Sequence, residues 1–337
     1  MNFKDVLAEK KPIIWEEVQN YLLKEGEHDF LEIVNEYPTR QGKYGRGTLV
    51  LMSCEAFGGD VKSAIKTAVA MQLSEDWLLV HDDFEDNSDE RRGKPALHKI
   101  YGDYKAVNAG DMLHKIMWKV LIDNKKVLSS KNTFKILEEF ERFLDITIRG
   151  QHLELVLTHD TSLENLEYKD YEKVALGKAA IYTISGPLRL GAIIANQKKG
   201  ILKKLEEFAI PLGIGFQIRD DILNIVGEGS VYGKEIGGDI YEGKRTLLLI
   251  HLVKNAKGED YKKVLEIMNK PREEKTPEEV EYVLNLMKQY GSVRFAEEKA
   301  RDFAEKARKL FNKYFSNLPN KESFGAAIDF FTMERKV

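Results

Sequence analysis

The sequence predicts an all-α protein. Only eight of its 337 residues are proline, so long stretches have room for uninterrupted helix. Apolar residues recur at helical spacing and do not alternate as they would along a strand. No convincing two-residue hairpin turn is evident. Such a pattern is satisfied by one large bundle of many long helices around a common core.

The elements follow in order. From Asp60 to Asp86 there is no Pro or Gly, and Ala64, Ile65, Ala68, Met71, Leu73, Leu78 and Leu79 approximate an apolar stripe. Asp60 is placed to cap that helix. Ile136 to Leu157 reads as helix despite Gly150. Ala179 to Ala195 is the most apolar run, but Ser185, Pro187 and Arg189 mark it as a core helix and not a membrane span. Ile201 to Val226 reads as helix, with a kink expected at Pro211. Thr276-Pro277-Glu278-Glu279 sets an N-cap, a first-turn proline and a capping-box acid in sequence. Phe295 to Phe315 is charged and amphipathic. No linker, repeat or low-complexity tract divides the chain, so 1–337 reads as one domain.

Charge and cysteine content exclude several classes. Lys and Arg number 52 against 55 Asp and Glu, a net charge of -3. That balance gives no broad footprint for nucleic acid or a membrane surface, so any anion site must be local. A lone Cys54 excludes a disulfide framework and a multi-cysteine zinc site. The N-terminus, MNFKDVLAEKKPIIW, has no apolar signal region. A cytoplasmic protein without stable membrane insertion is expected.

Two acidic clusters carry the chemistry. Asp82 and Asp86 are four apart and share a helix face, with Asp83 beside them. Like charges at that spacing repel, so a cation should offset them. Hard oxygens on a rigid face suit Mg²⁺, which keeps waters and takes one or two carboxylates plus substrate phosphates. Asp220-Asp221-Ile222-Leu223-Asn224 repeats the pattern after Phe216-Gln217. Two facing sets could clamp several Mg²⁺ around one diphosphate. Basic residues stand beside glycines nearby: Gly42-Lys43, Gly45-Arg46, Arg91-Arg92-Gly93, Gly177-Lys178, Gly233-Lys234 and Gly243-Lys244. Glycine admits close approach of an anion to the backbone; Arg offers a planar fork and Lys a point charge. There is no P-loop, HExxH or GxSxG, and His81, His98 and His152 read as structural.

On these motifs the chain resembles the trans-isoprenyl diphosphate synthases, such as the farnesyl and geranylgeranyl diphosphate synthases. The first aspartate-rich motif corresponds to Asp82-Asp83-x-x-Asp86, and its continuation to Arg91-Arg92-Gly93-Lys94-Pro95-Ala96-Leu97-His98. The second corresponds to Phe216-Gln217-x-x-Asp220-Asp221-x-x-Asn224, followed by Gly233-Lys234-x-x-Gly237-Gly238-Asp239 and Gly243-Lys244-Arg245-Thr246. The resemblance implies the isoprenoid synthase fold, a deep central cavity and a homodimer. It implies head-to-tail condensation of isopentenyl diphosphate with an allylic diphosphate. Asp82, Asp86 and Asp220 would ligate Mg²⁺, three ions per site. Arg91, Lys178, Lys234 and Lys244 would add charge around the allylic diphosphate, with Phe216 and Gln217 lining the site. Gly42, Lys43, Arg46 and Arg92 would receive isopentenyl diphosphate.

Four departures stand out. Tyr44 replaces a flanking arginine, Ala179 a threonine, and Asn224 the last aspartate. Glu75 stands seven residues before Asp82, where the family commonly has His or Gln against isopentenyl diphosphate. An Arg partner for Glu75, organising the Lys43/Arg46 loop, is the expected remedy. The prenyl tail should run along the first acidic helix toward its N-terminus, with Trp77, Leu78 and Ser74 setting its floor. One aromatic at the farther near position resembles C20 more than C15 producers. Two rivals stay open, a class I terpene cyclase and a catalytically weak regulatory subunit.

Overall fold

The computed structural model describes residues 2–227, 235–319 and 321–334. Its first half runs α1 (Phe3–Tyr21), α2 (His28–Arg40), α3 (Gly45–Ala56), α4 (Val61–Glu85), β1 (Glu90–Arg91), β2 (Lys94–Pro95), α5 (Leu97–Tyr101), α6 (Asp103–Asp123) and α7 (Ser130–His159). Next come α8 (Tyr168–Val174), a wider π-helical stretch (Ala175–Ser185), α9 (Gly186–Ile194) and α10 (Lys199–Val226). The last part holds α11 (Gly238–Tyr241), α12 (Leu247–Asn255), α13 (Gly258–Met268), α14 (Pro277–Gln289), α15 (Ser292–Phe315) and α16 (Lys321–Asp329).

Local chemistry sets the helix starts. Asp60 accepts a hydrogen bond from the Lys62 amide at 3.1 Å, which satisfies one of the orphan donors of α4. Thr276 and Glu279 form the reciprocal capping box of α14. α7 is longer than its apolar stripe, because Ser129 caps it well before Ile136 is reached. α10 runs unbroken through Pro211. The apolar run after Ala179 is split between the π-helical stretch and α9. Among the described residues no helix is long and apolar enough to cross a membrane.

One expectation is corrected. A two-residue hairpin is present: Glu90 pairs with Pro95 and Arg91 with Lys94. Its turn residues, Arg92 and Gly93, both have left-handed backbones, with φ of 56° and 72°. That is the geometry of the favoured hairpin turn, but with Arg in place of Asn or Asp at its first position. The strands are two residues each, too short to show alternation.

The long helices pack so that α4 lies on α3 and α6, while α10 lies between α15 and the π-helical stretch. One apolar core fills the space among α1 to α4, α6 and α7; a second joins α10 to α12 through α15. A third ties the N-terminal Phe3 to Phe330 and Phe331 near the C-terminus. Gly150 on α7 faces Gly177, and a Cβ on Gly150 would lie 2.7 Å from the Lys178 amide nitrogen. This close approach brings the polar ends of α7 and the π-helical stretch together beside α4.

Candidate active site

A cavity of about 510 Å³ opens among these elements. α4 delivers Glu75, Leu79 and Asp82 to its wall, and α10 delivers Phe216, Gln217, Asp220 and Asp221. The π-helical stretch adds Lys178, Ala179 and Thr183, the loop before α3 adds Gly42, Lys43 and Tyr44, and the start of α3 adds Gly45 and Arg46. A π-helix turns less per residue than an α-helix, so it re-aims side chains; such segments recur at functional sites.

The first motif is a compact charge cluster. Asp82, Asp86 and Glu154 each place a carboxylate oxygen within 4.8 Å of the others. Lys178 donates to Asp82 Oδ1 at 2.8 Å and also to Glu154. Lys244 Nζ lies 2.7 Å from Asp86 and 2.8 Å from Glu242. Burial works against the charge of Asp82, but Lys178, Lys244 and Arg91 outweigh it and hold this carboxyl well below its usual range. Asp86 goes the other way: burial, with Asp82 and Glu242 beside it, pushes it up against the pull of Lys244. Burial also disfavours the Lys178 and Lys244 ammonium groups, yet the surrounding carboxylates raise both above the ordinary lysine value. The hard oxygen donors fit a divalent cation of the Mg²⁺ type. Glu154 is the ligand candidate that the motif reading omitted.

Asp83 has a different task. Its carboxylate accepts from Arg91 Nε at 2.9 Å and from the Tyr37 hydroxyl at 2.6 Å. Tyr37 in turn accepts from the Leu97 amide at 3.0 Å. The group is buried and satisfied, as a charge inside a core must be. Asp83 therefore braces Arg91, whose Nη2 reaches to 3.5 Å from Asp82.

On α10, Asp220 faces the cavity, while Asp221 accepts from Tyr171 at 2.7 Å and from Gln217 at 2.8 Å. Burial, with Asp239 and Asp220 nearby, raises Asp221 well above the ordinary carboxylate value. Asn224 accepts from the Asp239 amide at 3.1 Å and donates to the Glu235 carbonyl. An amide can do both, and a carboxylate cannot. At this site Asn224 ties α10 to the loop before α11.

The loop before α3 and the first turn of that helix form a second charged part of the lining. Arg46 Nη1 lies 3.0 Å from Glu75 Oε1, and Arg46 Nη2 donates to Thr183 at 3.0 Å. Arg92 reaches the same place from the hairpin; a Cβ on Gly42 would come within 2.9 Å of its Nη2. The glycine of this loop is thus set by the guanidinium that crosses it.

A polyprenyl synthetase family profile matches residues 27–287. The geranylgeranyl diphosphate synthase of Saccharolobus solfataricus is 34% identical over 80% of this chain and 79% of its own length. The chain belongs to the polyprenyl synthetase family. It is a prenyltransferase. The geranylfarnesyl diphosphate synthase of Aeropyrum pernix is 30% identical over 81% of this chain and 83% of that protein. The crystal structure of a geranylgeranyl pyrophosphate synthetase from Pyrococcus horikoshii superposes with a TM-score of 0.84 at 29% identity, covering 98% of each chain.

Within this synthetase the motif residues fall as follows. Asp82, Lys178, Gln217, Asp220, Lys244, Arg91, Arg92, Lys43, Arg46, Glu75 and Phe216 all line the one cavity. Asp86 stands behind Asp82, bound to Lys244. Lys234 lies outside the described residues. Ser74, Trp77 and Leu78 do not line the cavity; Leu79 does. Trp77 stacks on His114 of α6 with ring centroids 4.0 Å apart, and Ser74 shares a 2.8 Å hydrogen bond with the Tyr182 hydroxyl. Sequence reasoning missed Glu154, Tyr37 and Tyr171. For Glu154 a signal existed, a glycine one helical turn earlier at Gly150; for the tyrosines there was none.

Proposed function

We propose that this synthetase condenses isopentenyl diphosphate head-to-tail with an allylic diphosphate, giving geranylgeranyl or farnesyl diphosphate. The observation that carries the reading is one cavity lined by two separate charge clusters: Lys178 and Lys244 on Asp82 and Asp86, and Arg46 and Arg92 on Glu75, with Lys43 also in the lining. Two diphosphates need two cationic sites, whereas a terpene cyclase needs one.

Asp82 and Asp86, with Asp220 opposite and Glu154 adjoining, would hold Mg²⁺, three ions per site. Bound there, the metal supplies Lewis-acid charge for the departing diphosphate. Lys178, Lys244 and Arg91 add fixed positive charge where negative charge grows as the allylic C–O bond ionises. Gln217 donates its amide hydrogen to Asp221, which leaves its oxygen as the atom suited to face the allylic cation. Phe216, packed edge-on against Phe331, helps to exclude water from that cation. Lys43, Arg46 and Arg92 hold isopentenyl diphosphate so that its double bond attacks the cation. The proton lost afterwards passes to the departed diphosphate.

The family's homodimer is the proposed assembly; Tyr104 of α6 and Phe134 of α7, 94% and 66% exposed, are apolar side chains such an assembly would cover. Nothing in charge or composition favours nucleic acid, and a cytoplasmic site fits the lone buried Cys54.

The deciding experiment incubates the protein with Mg²⁺, isopentenyl diphosphate and each of the C5, C10 and C15 allylic diphosphates, then reads product masses. Longer prenyl diphosphates support the reading and fix the chain length. A cyclic hydrocarbon, or prenyl diphosphate binding without elongation, overturns it.

A further inference from the structure

Consecutive side chains on a helix point about 100° apart. At Glu75 and Asp76 this splits two carboxylates between two layers. Glu75 lines the cavity; Asp76 lies behind it and is only 1% exposed. A carboxylate buried so deeply is costly unless it is paired. Its cationic partner is Arg92, with Nη2 2.8 Å from Asp76 Oδ1. The same nitrogen lies 3.8 Å from Glu75 Oε1, which also holds Arg46 at 3.0 Å.

Arg92 is itself unusual. It is a non-glycine residue with a left-handed backbone. Its Nη1 donates to the Tyr37 carbonyl at 2.7 Å. Two unfavourable features, a buried acid and a strained arginine, therefore converge on one guanidinium at the cavity edge. Strain and buried charge of this kind mark places where position matters.

We propose that Asp76 is a positioning residue for the second diphosphate: it fixes the Arg92 guanidinium against the cavity and so sets the affinity for isopentenyl diphosphate, with Glu75 steadying Arg46 beside it. The inference rests on the assignment of that substrate made above. Asp76 touches no substrate; it acts through Arg92. Its removal leaves a long, rotamer-rich side chain to be ordered when the anion binds, and that cost falls on binding alone.

The test is calorimetric binding of isopentenyl diphosphate to the full chain, alongside KM for both substrates. Asp76→Asn should weaken isopentenyl diphosphate binding about tenfold. Allylic KM and kcat should stay within about twofold when measured below the variant's own melting temperature, which loss of the buried pair lowers. In an Arg92→Ala background, Asp76→Asn should have no further effect on binding, because the two act as one unit. Asp76→Glu, which keeps the charge but displaces it, should weaken binding in the same direction and serves if the Asn variant does not fold. Unchanged binding in both variants, additive effects with Arg92→Ala, or wild-type protein that does not bind isopentenyl diphosphate would each overturn the inference. Wild-type binding without elongation would sink the condensation reading and leave this one standing.

Discussion

Lys178 Nζ sits 2.8 Å from Asp82 Oδ1, across 96 residues of sequence, and also contacts Glu154. The ammonium of one helix thus stands among the carboxylates of two others. In the resting protein it offsets their repulsion; with substrate present the same charge is available to the leaving diphosphate.

Lys178→Met should therefore lower kcat by about 100-fold or more, the usual loss when one fixed group facing developing charge is removed. Steady-state assays with saturating substrates check this. A kcat within a few-fold of wild type would mean that Lys178 serves only to neutralise the resting carboxylates.

Gly150→Ala should separate α7 from the π-helical stretch. The new methyl would meet the Gly177 carbonyl carbon at 2.9 Å, backbone that cannot swing aside. Overpacking of this kind costs about 1–3 kcal/mol. Denaturant unfolding should show that loss, and activity should fall with it as Glu154 leaves Lys178. Wild-type stability in this variant would show that the helices have slack.

Tyr37→Phe removes the hydroxyl that donates to Asp83 and accepts from Leu97. It leaves a buried carboxylate oxygen and a buried amide short of partners. A loss of about 1–3 kcal/mol in unfolding free energy is expected. Unfolding curves within error of wild type would show that water or a shifted neighbour replaces the hydroxyl.

Lys275 offers a pH test. Burial lowers its amine from 10.5 to about 8, with Arg245 and Arg272 adding repulsion, while it donates to the Tyr241 carbonyl at 2.9 Å. Below pH 8 the charge must be buried on folding; as pH rises from 8 to 10.5 the folded chain sheds its proton while the unfolded chain still holds one, and that cost disappears. Against Lys275→Met, which has no such proton, wild type should gain at most about 3 kcal/mol across that window. Unfolding curves at about pH 7, 9 and 10.5 measure it, spanning both ends of the titration. A constant difference between the two proteins would show the amine to be unperturbed.

Trp77→Ser tests chain length. Trp77 stacks on His114 of α6 behind the cavity lining, so its truncation would open space between α4 and α6 beyond the present wall. The substitution should lengthen the product, as read by mass. An unchanged distribution would remove Trp77 as the floor and leave it a core residue.

Much of the fold was legible because its signals are local. The caps at Asp60 and Thr276, the proline-free stretches and the apolar stripes all act within a few residues along the chain. The acid pairs were legible for the same reason, since four-residue spacing fixes a shared helix face. The hairpin at Arg92 was not, because its strands are too short to show a period and its turn residue breaks the usual preference.

Which faces meet is a different matter. Spacing puts Asp82 and Asp86 on one helix face; it does not say that Glu154 of another helix adjoins them. That follows from Gly150 lying against Gly177, and from a π-helical stretch that turns Lys178 toward Asp82 and Glu154. The roles within the first motif divide in the same way. Asp82 and Asp83 are neighbours of one residue type. Lys178 draws the first into the cavity, while Tyr37 and Arg91 hold the second in the core. Helix geometry along the chain sets the spacing of charges, and the packing of distant segments selects each charge's partner.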